Sequence, residues 1–296
     1  MGEEVERGRR GVLRGGAALV AAGLGTRLHA APLREGQATG EQAGGRLKQS
    51  VSRWCFGSWS VDELAGHAAR IGYKGIDLLG PEDWAALGKH GLVCALGSLG
   101  GPVRIEKGLN RVENHPPILE ALRRGIDLAS EAKVPNLVCF SGNREGMSDT
   151  EGLENCARGL LQLARQAEKK GVTLCVELLN SKIDHKDYMC DHTAWGAALV
   201  KKVGSPRVKL LYDIYHMQIM EGDVIATIRA NHQHIAHYHT GGVPGRAEID
   251  ETQELNYRRI AQEIVDLGFE GYLAQEFIPK RDPMASLKQG MQICDA

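Results

Sequence analysis

Four residues able to bind a cation or move a proton, Glu177, Asp213, His239 and Glu276, each end a short apolar run. The runs read LCVE, KLLYD, IAHYH and YLAQE, and they recur at near-regular spacing through the C-terminal half. Three carboxylates and one imidazole brought together form an oxygen-rich donor set for a divalent cation. Mg²⁺ and Mn²⁺ suit it best, and the lone imidazole leaves Zn²⁺ and Co²⁺ admissible. Singly, each residue has a duller explanation, since a strand-end Asp or Glu often caps the next helix and a His can be a satisfied polar side chain. Together they are harder to dismiss, because several carboxylates buried at one place without a cation repel one another and lose solvation.

Such residues need a scaffold that delivers four strand ends to one rim. Eight short apolar strands alternate with helical segments from about Val51. The expected strands are Trp54–Phe56, Gly75–Leu79, Leu92–Leu96, Asn136–Phe140, Val172–Glu177, Val208–Asp213, Ile235–His239 and Tyr272–Glu276. Helix signals fall between them: Ser60 with Glu63 as a capping box, Pro81 at an early helix position, Asp191 as a cap. This rhythm predicts an α/β fold, a (β/α)₈ TIM barrel over residues 51–296, with the four residues at its C-terminal mouth. A doubly wound open sheet is the rival, but no GxGxxG follows the first strand. Strand alternation puts His237 on the same inward face as His239, one layer deeper, and assigns His232 and His234 to the preceding turn.

Two more residues can touch a substrate. His216, in DIYHMQ just after Asp213, stands within reach of a cation-bound oxygen. Arg246, in a Gly-Gly/Pro-Gly loop after His239, can grip a carboxylate or phosphate through paired N–H donors. Ser141–Arg144, after the fourth strand, either line the mouth or form an ordinary polar loop.

Composition narrows the partners. A formal net charge of −1 and 5% aromatic residues argue against nucleic acid, which calls for a basic surface or stacking platforms. The seven cysteines are scattered without a CxxC, and Cys55, Cys94, Cys139 and Cys175 fall in expected strands, where they read as small core residues. The N-terminal stretch differs in kind. Arg9-Arg10 precedes GGAALVAAGLG and then LHAAP, a pattern resembling a twin-arginine export signal over residues 1–31. Its apolar run is too short to span a bilayer, so the mature chain is expected outside the membrane, exported to the periplasm if the stretch is a working signal and cytoplasmic if it is only a basic N-terminus. Residues 32–50 read as a linker.

The segments VELLN, LLYDIYH, HxH-x₃-VPGR, ELNY and QEF resemble the hydroxypyruvate isomerase and sugar isomerase/epimerase barrels related to xylose isomerase. The resemblance implies that Glu177, Asp213, His239 and Glu276 bind a divalent metal and that Glu177 and Glu276 exchange protons with substrate carbon. It makes His216 and Arg246 substrate contacts, and allows a homodimer. The implied reaction is an aldose–ketose type isomerisation of a hydroxy-keto acid or keto-sugar through an enediolate, with hydroxypyruvate to tartronate semialdehyde the leading case. The chain departs from that branch at His239, where those isomerases usually present Gln and ketose 3-epimerases present His. Asn180-Ser181-Lys182-Ile183 in turn departs from the epimerases' Asn-Arg-Phe-Glu. A ketose 3-epimerase, a keto-sugar lyase and a non-catalytic sugar-binding barrel are the alternatives; a metal-dependent DNA repair nuclease would need more His ligands and a basic face.

Overall fold

The computed structural model describes residues 46–296, so the expected export signal lies outside the described residues. Eight parallel strands close into a barrel in chain order, with β1 hydrogen-bonded to both β2 and β8. They are β1 (Lys48–Ser52), β2 (Gly75–Leu79), β3 (Val93–Gly97), β4 (Asn136–Cys139), β5 (Thr173–Glu177), β6 (Val208–Asp213), β7 (Ile235–His239) and β8 (Tyr272–Gln275). Around them run α1 (Val61–Ile71), α2 (Pro81–Trp84), α3 (His115–Glu131), α4 (Asp149–Lys170), α5 (Thr193–Val203), α6 (Ile214–Met220), α7 (Val224–Asn231), α8 (Tyr257–Asp266) and α9 (Pro283–Ile293). None of the described helices is long and apolar enough to cross a membrane.

Local chemistry sets these boundaries. Ser60 and Glu63 form the expected capping box of α1, and Gly72, at φ 116°, ends that helix in a left-handed turn that a side chain would resist. Asp213 accepts the His216 N–H, so the last residue of β6 also caps α6. Asp191 does not cap α5 as expected. His192 holds that position, the Thr193 N–H donates to Glu221 Oε1 (2.7 Å), and Asp191 is engaged by Arg144 at 2.9 Å and by Ser181 at 2.6 Å. A guanidinium is the stronger partner for a buried carboxylate than a lone amide N–H.

The first strand departs most from expectation. It is Lys48–Ser52, partly inside the expected linker, and Arg53–Phe56 is a 3₁₀ turn, which places Cys55 in the turn rather than a strand. The reason lies in the barrel's interior. Between β3 and β6 it is filled by Leu96, Val138, Cys175 and Leu211. The opposite side carries Ser50, Ser52, Asp77, His237 and His239, all fully buried. A strand whose inward residues are serines has no apolar run to announce it. The main core lies outside the barrel, where Leu64, Ile76, Leu122, Leu160, Leu210 and Ile264 join strands to helices. All seven cysteines are free and buried, in keeping with a packing role.

Candidate active site

Because successive strand residues face opposite sides, Glu177 shares an inward face with Cys175, Asp213 with Leu211, and His239 with His237. The pairing of Asp213 with His239 then sets neighbouring strand ends level at one rim. Glu276 follows the last residue of β8 and completes the ring.

The four expected ligands do converge. Each offers one atom to a group whose members all lie within 4.8 Å of one another, and all four residues are buried. His239 Nδ1 lies 2.6 Å from Glu276 Oε2 and 3.8 Å from Glu177 Oε1. This set fits a divalent cation: three carboxylates and one imidazole, all buried, are spaced so that a single ion could touch them all.

Arg246 and His216, both expected near substrate, stand against this cluster. One guanidinium nitrogen of Arg246, Nη2, donates to Asp213 Oδ2 (2.9 Å) and Glu276 Oε2 (2.6 Å). The guanidinium carbon lies over the rings of both Trp54 and Tyr215, at 5.2 and 4.9 Å from their centroids. Nη1 is 2.9 Å from His216 Nε2. His216 is fully buried, and its Nδ1 accepts the backbone N–H of Asn180 at 3.1 Å. Arg246 itself has φ 54°, a left-handed backbone that non-glycine residues seldom adopt, within the loop that carries it over the mouth.

The electrostatics divide the carboxylates. Burial, reinforced by Glu276, pushes Glu177 up to about 8. Burial also lifts Asp213 to about 7, with Arg246 opposing and Glu276 adding to the rise. For Glu276 burial works the same way, but His239 and Arg246 outweigh it and hold the group well below the ordinary carboxylate range. His239 is held well above its ordinary range, because Glu276 and Asp77 overcome the effect of burial. His216 is pushed well below its ordinary range by burial and by Arg246. Two carboxylates whose environments drive them apart can act as an acid and a base.

Several participants escaped the sequence. Trp54 donates its indole N–H to Glu276 Oε1 at 2.6 Å. Asp77 lies beneath His239, and a lone acid in the apolar strand GIDLL was the available signal. Tyr215 and Asn180 both donate to Asp184 Oδ2, at 2.9 and 2.6 Å, and so steady the wall beside His216. The Ser141–Arg144 segment braces the rim: Ser141 accepts the Cys190 N–H, and Arg144 binds Asp149 and Asp191. His232 and His234 sit in a 3₁₀ turn ahead of β7, as expected.

Comparison with known proteins gives concordant findings. Residues 66–296 match the family model described as a xylose isomerase-like TIM barrel. A human protein provisionally named hydroxypyruvate isomerase is 27% identical over 254 residues, spanning 78% of this chain and 90% of its own. The 2-oxo-tetronate isomerase of Cupriavidus necator is 35% identical over 124 residues, covering 42% of this chain and 47% of that one. Among solved structures, a family 2 AP endonuclease from Brucella melitensis superposes with a TM-score of 0.73 at 24% identity, over 81% of this chain and 97% of that chain. At that identity the likeness speaks for the fold.

Proposed function

The chain belongs to the xylose isomerase-like TIM barrel family, and from that premise we propose that it is a divalent-metal-dependent isomerase of a small hydroxy-keto acid, with hydroxypyruvate the leading substrate. That it is an enzyme of the isomerase/epimerase kind follows from its relatives. The observation that carries the finer reading is the convergence of Glu177, Asp213, His239 and Glu276 at the barrel mouth.

Glu177, Asp213, His239 and Glu276 would hold the cation. When bound, Mg²⁺ or Mn²⁺ supplies Lewis-acid stabilisation of the negative charge that develops on substrate oxygen. The chain's own groups do the rest. Glu177 and Glu276, delivered by the ends of β5 and β8, are the carboxylate pair suited to remove a proton from C3 of hydroxypyruvate and return one at C2. A C3–H bond breaks and a C2–H bond forms through an enediolate, the C3 hydroxyl proton passes to the C2 oxygen, and the product is tartronate semialdehyde. Arg246 and His216 lie beside the cluster, and Arg246 would grip a substrate carboxylate by exchanging donors now given to Asp213, Glu276 and His216.

Solvent-deuterium incorporation followed by NMR tests this reading, with Mn²⁺ supplied and a panel of hydroxypyruvate, tagatose, fructose and 3-keto-glucosides. Label appearing at C2 of the hydroxypyruvate product is the expected result. Label at C3 of a ketose would instead support the epimerase reading, which His239 in place of Gln favours. Absence of label in every compound would leave a sugar-binding barrel. Export directed by residues 1–31 belongs to the same proposal; a periplasmic fraction lacking the full-length or processed chain would refute it.

A further inference from the structure

Beneath the four converging residues lies a second buried group, Asp77, His237 and His239, contributed by β2 and β7. One oxygen serves both rings. Asp77 Oδ2 lies 2.5 Å from His237 Nε2 and 3.3 Å from His239 Nε2, and all three residues are fully buried. Both rings therefore point at a single acceptor atom, an arrangement that orients rings more than it encloses an ion. The consequence falls on the other nitrogen of His239. With Nε2 turned to Asp77, Nδ1 is the atom facing Glu276 and Glu177.

The backbone is irregular beside this group. The β2–β3 register shifts on both sides of Asp77, and the next residue, Leu78, has φ 61° in the left-handed region. Across the barrel, the β6–β7 register shifts between Leu210 and Leu211, opposite the step from Ile235 to His237. Bulges next to functional sites commonly re-aim a side chain, and strained backbone persists where the surroundings enforce it. Here the irregularities flank the buried acid and the inner histidine.

We propose that Asp77 is a positioning residue for the metal site: it fixes the ring orientation of His239 and presents Nδ1 as the ligand atom. The inference rests on the metal-binding reading above. A carboxylate behind a ligating imidazole sets which nitrogen is free and raises its basicity, and its loss typically weakens metal affinity by about 10–100-fold.

The test is Mn²⁺ affinity by isothermal titration on the chelator-stripped full chain, with the Co²⁺ visible absorption spectrum as a second readout. Wild type, Asp77→Asn and Asp77→Leu are compared, each checked for native circular dichroism. Asp77→Asn keeps the shape and removes the charge, so it stays informative if Asp77→Leu does not fold. The expected result is about 10-fold weaker Mn²⁺ binding for Asp77→Asn and approaching 100-fold for Asp77→Leu, with displaced Co²⁺ bands in both. A purely structural role would lower thermal stability while leaving the Co²⁺ bands where they were. Variants that bind Mn²⁺ within twofold of wild type, with an unchanged Co²⁺ spectrum, would overturn the inference alone. Wild type that takes up neither Mn²⁺ nor Co²⁺ would overturn the metal reading and this inference with it.

Discussion

Trp54 and Glu276 come from opposite ends of the chain, yet the indole N–H of the first donates to Oε1 of the second across 2.6 Å. One follows β1 and the other follows β8, so closure of the barrel creates the contact. The same ring lies against Arg246. Trp54→Phe keeps an aromatic face for Arg246 and removes the N–H. Hydrogen bonds to charged groups are worth about 1.5–3 kcal/mol, which corresponds to a loss of roughly 10–100-fold in kcat/KM. Steady-state kinetics at saturating Mn²⁺ checks this, and an unchanged kcat/KM would remove Trp54 from the site's working parts.

Glu177→Gln and Glu276→Gln should each abolish most solvent-deuterium exchange while leaving the fold intact. Proton transfer by a positioned side chain contributes about 10²–10⁴-fold, and each variant should lose at least that much. The double variant should be little worse than either single one, because the two act as a unit. A substrate that binds as before but no longer exchanges would separate catalysis from simple recognition.

The metal-free chain should become less stable as pH rises from about 5 to 8. Glu177, lifted to about 8, and Asp213, lifted to about 7, keep protons in the folded state that the unfolded chain has already released. The unfolded state then binds fewer protons, so the slope of stability against pH is negative. His239 acts in the same direction: its favourable interactions are complete below the ordinary imidazole range and are lost as pH climbs through its raised folded value. Asp77 works oppositely and elsewhere. Held down to about 2, it stabilises the fold above the ordinary Asp value of about 4, and that contribution disappears as pH falls toward 2. Thermal melts of chelated protein should show the decline between pH 5 and 8, and added Mn²⁺ should flatten it. A flat profile without metal would contradict the burial argument.

Gly242 is a further point of leverage on the loop that carries Arg246. A Cβ there would meet Glu248 O at 2.3 Å and Ala247 O at 2.9 Å, both backbone atoms that cannot rotate away. Gly242 N–H also donates to Ala247 O at 2.8 Å, which fastens the loop's two arms. Gly242→Ala should cost about 1–3 kcal/mol in denaturant melts and raise KM through displacement of Arg246. A variant with normal KM would show that the loop can shift without moving the guanidinium.

The sequence announced this site through the apolar runs that lead into Glu177, Asp213, His239 and Glu276, because strands ending in polar residues contrast sharply with what precedes them. Two of those runs located β6 and β7 to the residue, and the separate run GIDLL did the same for β2. The first strand was hidden because its inward side chains are Ser50 and Ser52. Asp77 was passed over for a related reason. Its partner His237 is 160 positions away, and only the closed barrel brings the two together. Trp54 looked like a strand residue, since nothing local distinguishes an aromatic ring packed in a core from one aimed at a carboxylate.

The asymmetry of the barrel's interior bears on how this protein could be engineered. Replacing the Asp77 and His237 pair by a well-fitted Leu and Phe would match the apolar lining already present at Leu96 and Leu211. Replacing both partners of a buried polar contact by apolar groups of the same shape can be nearly neutral or stabilising. A selection for heat resistance alone would therefore drift toward a greasy centre and return sturdy, catalytically idle proteins. Any campaign to harden this scaffold should hold those two positions fixed and seek its gains on the helices outside.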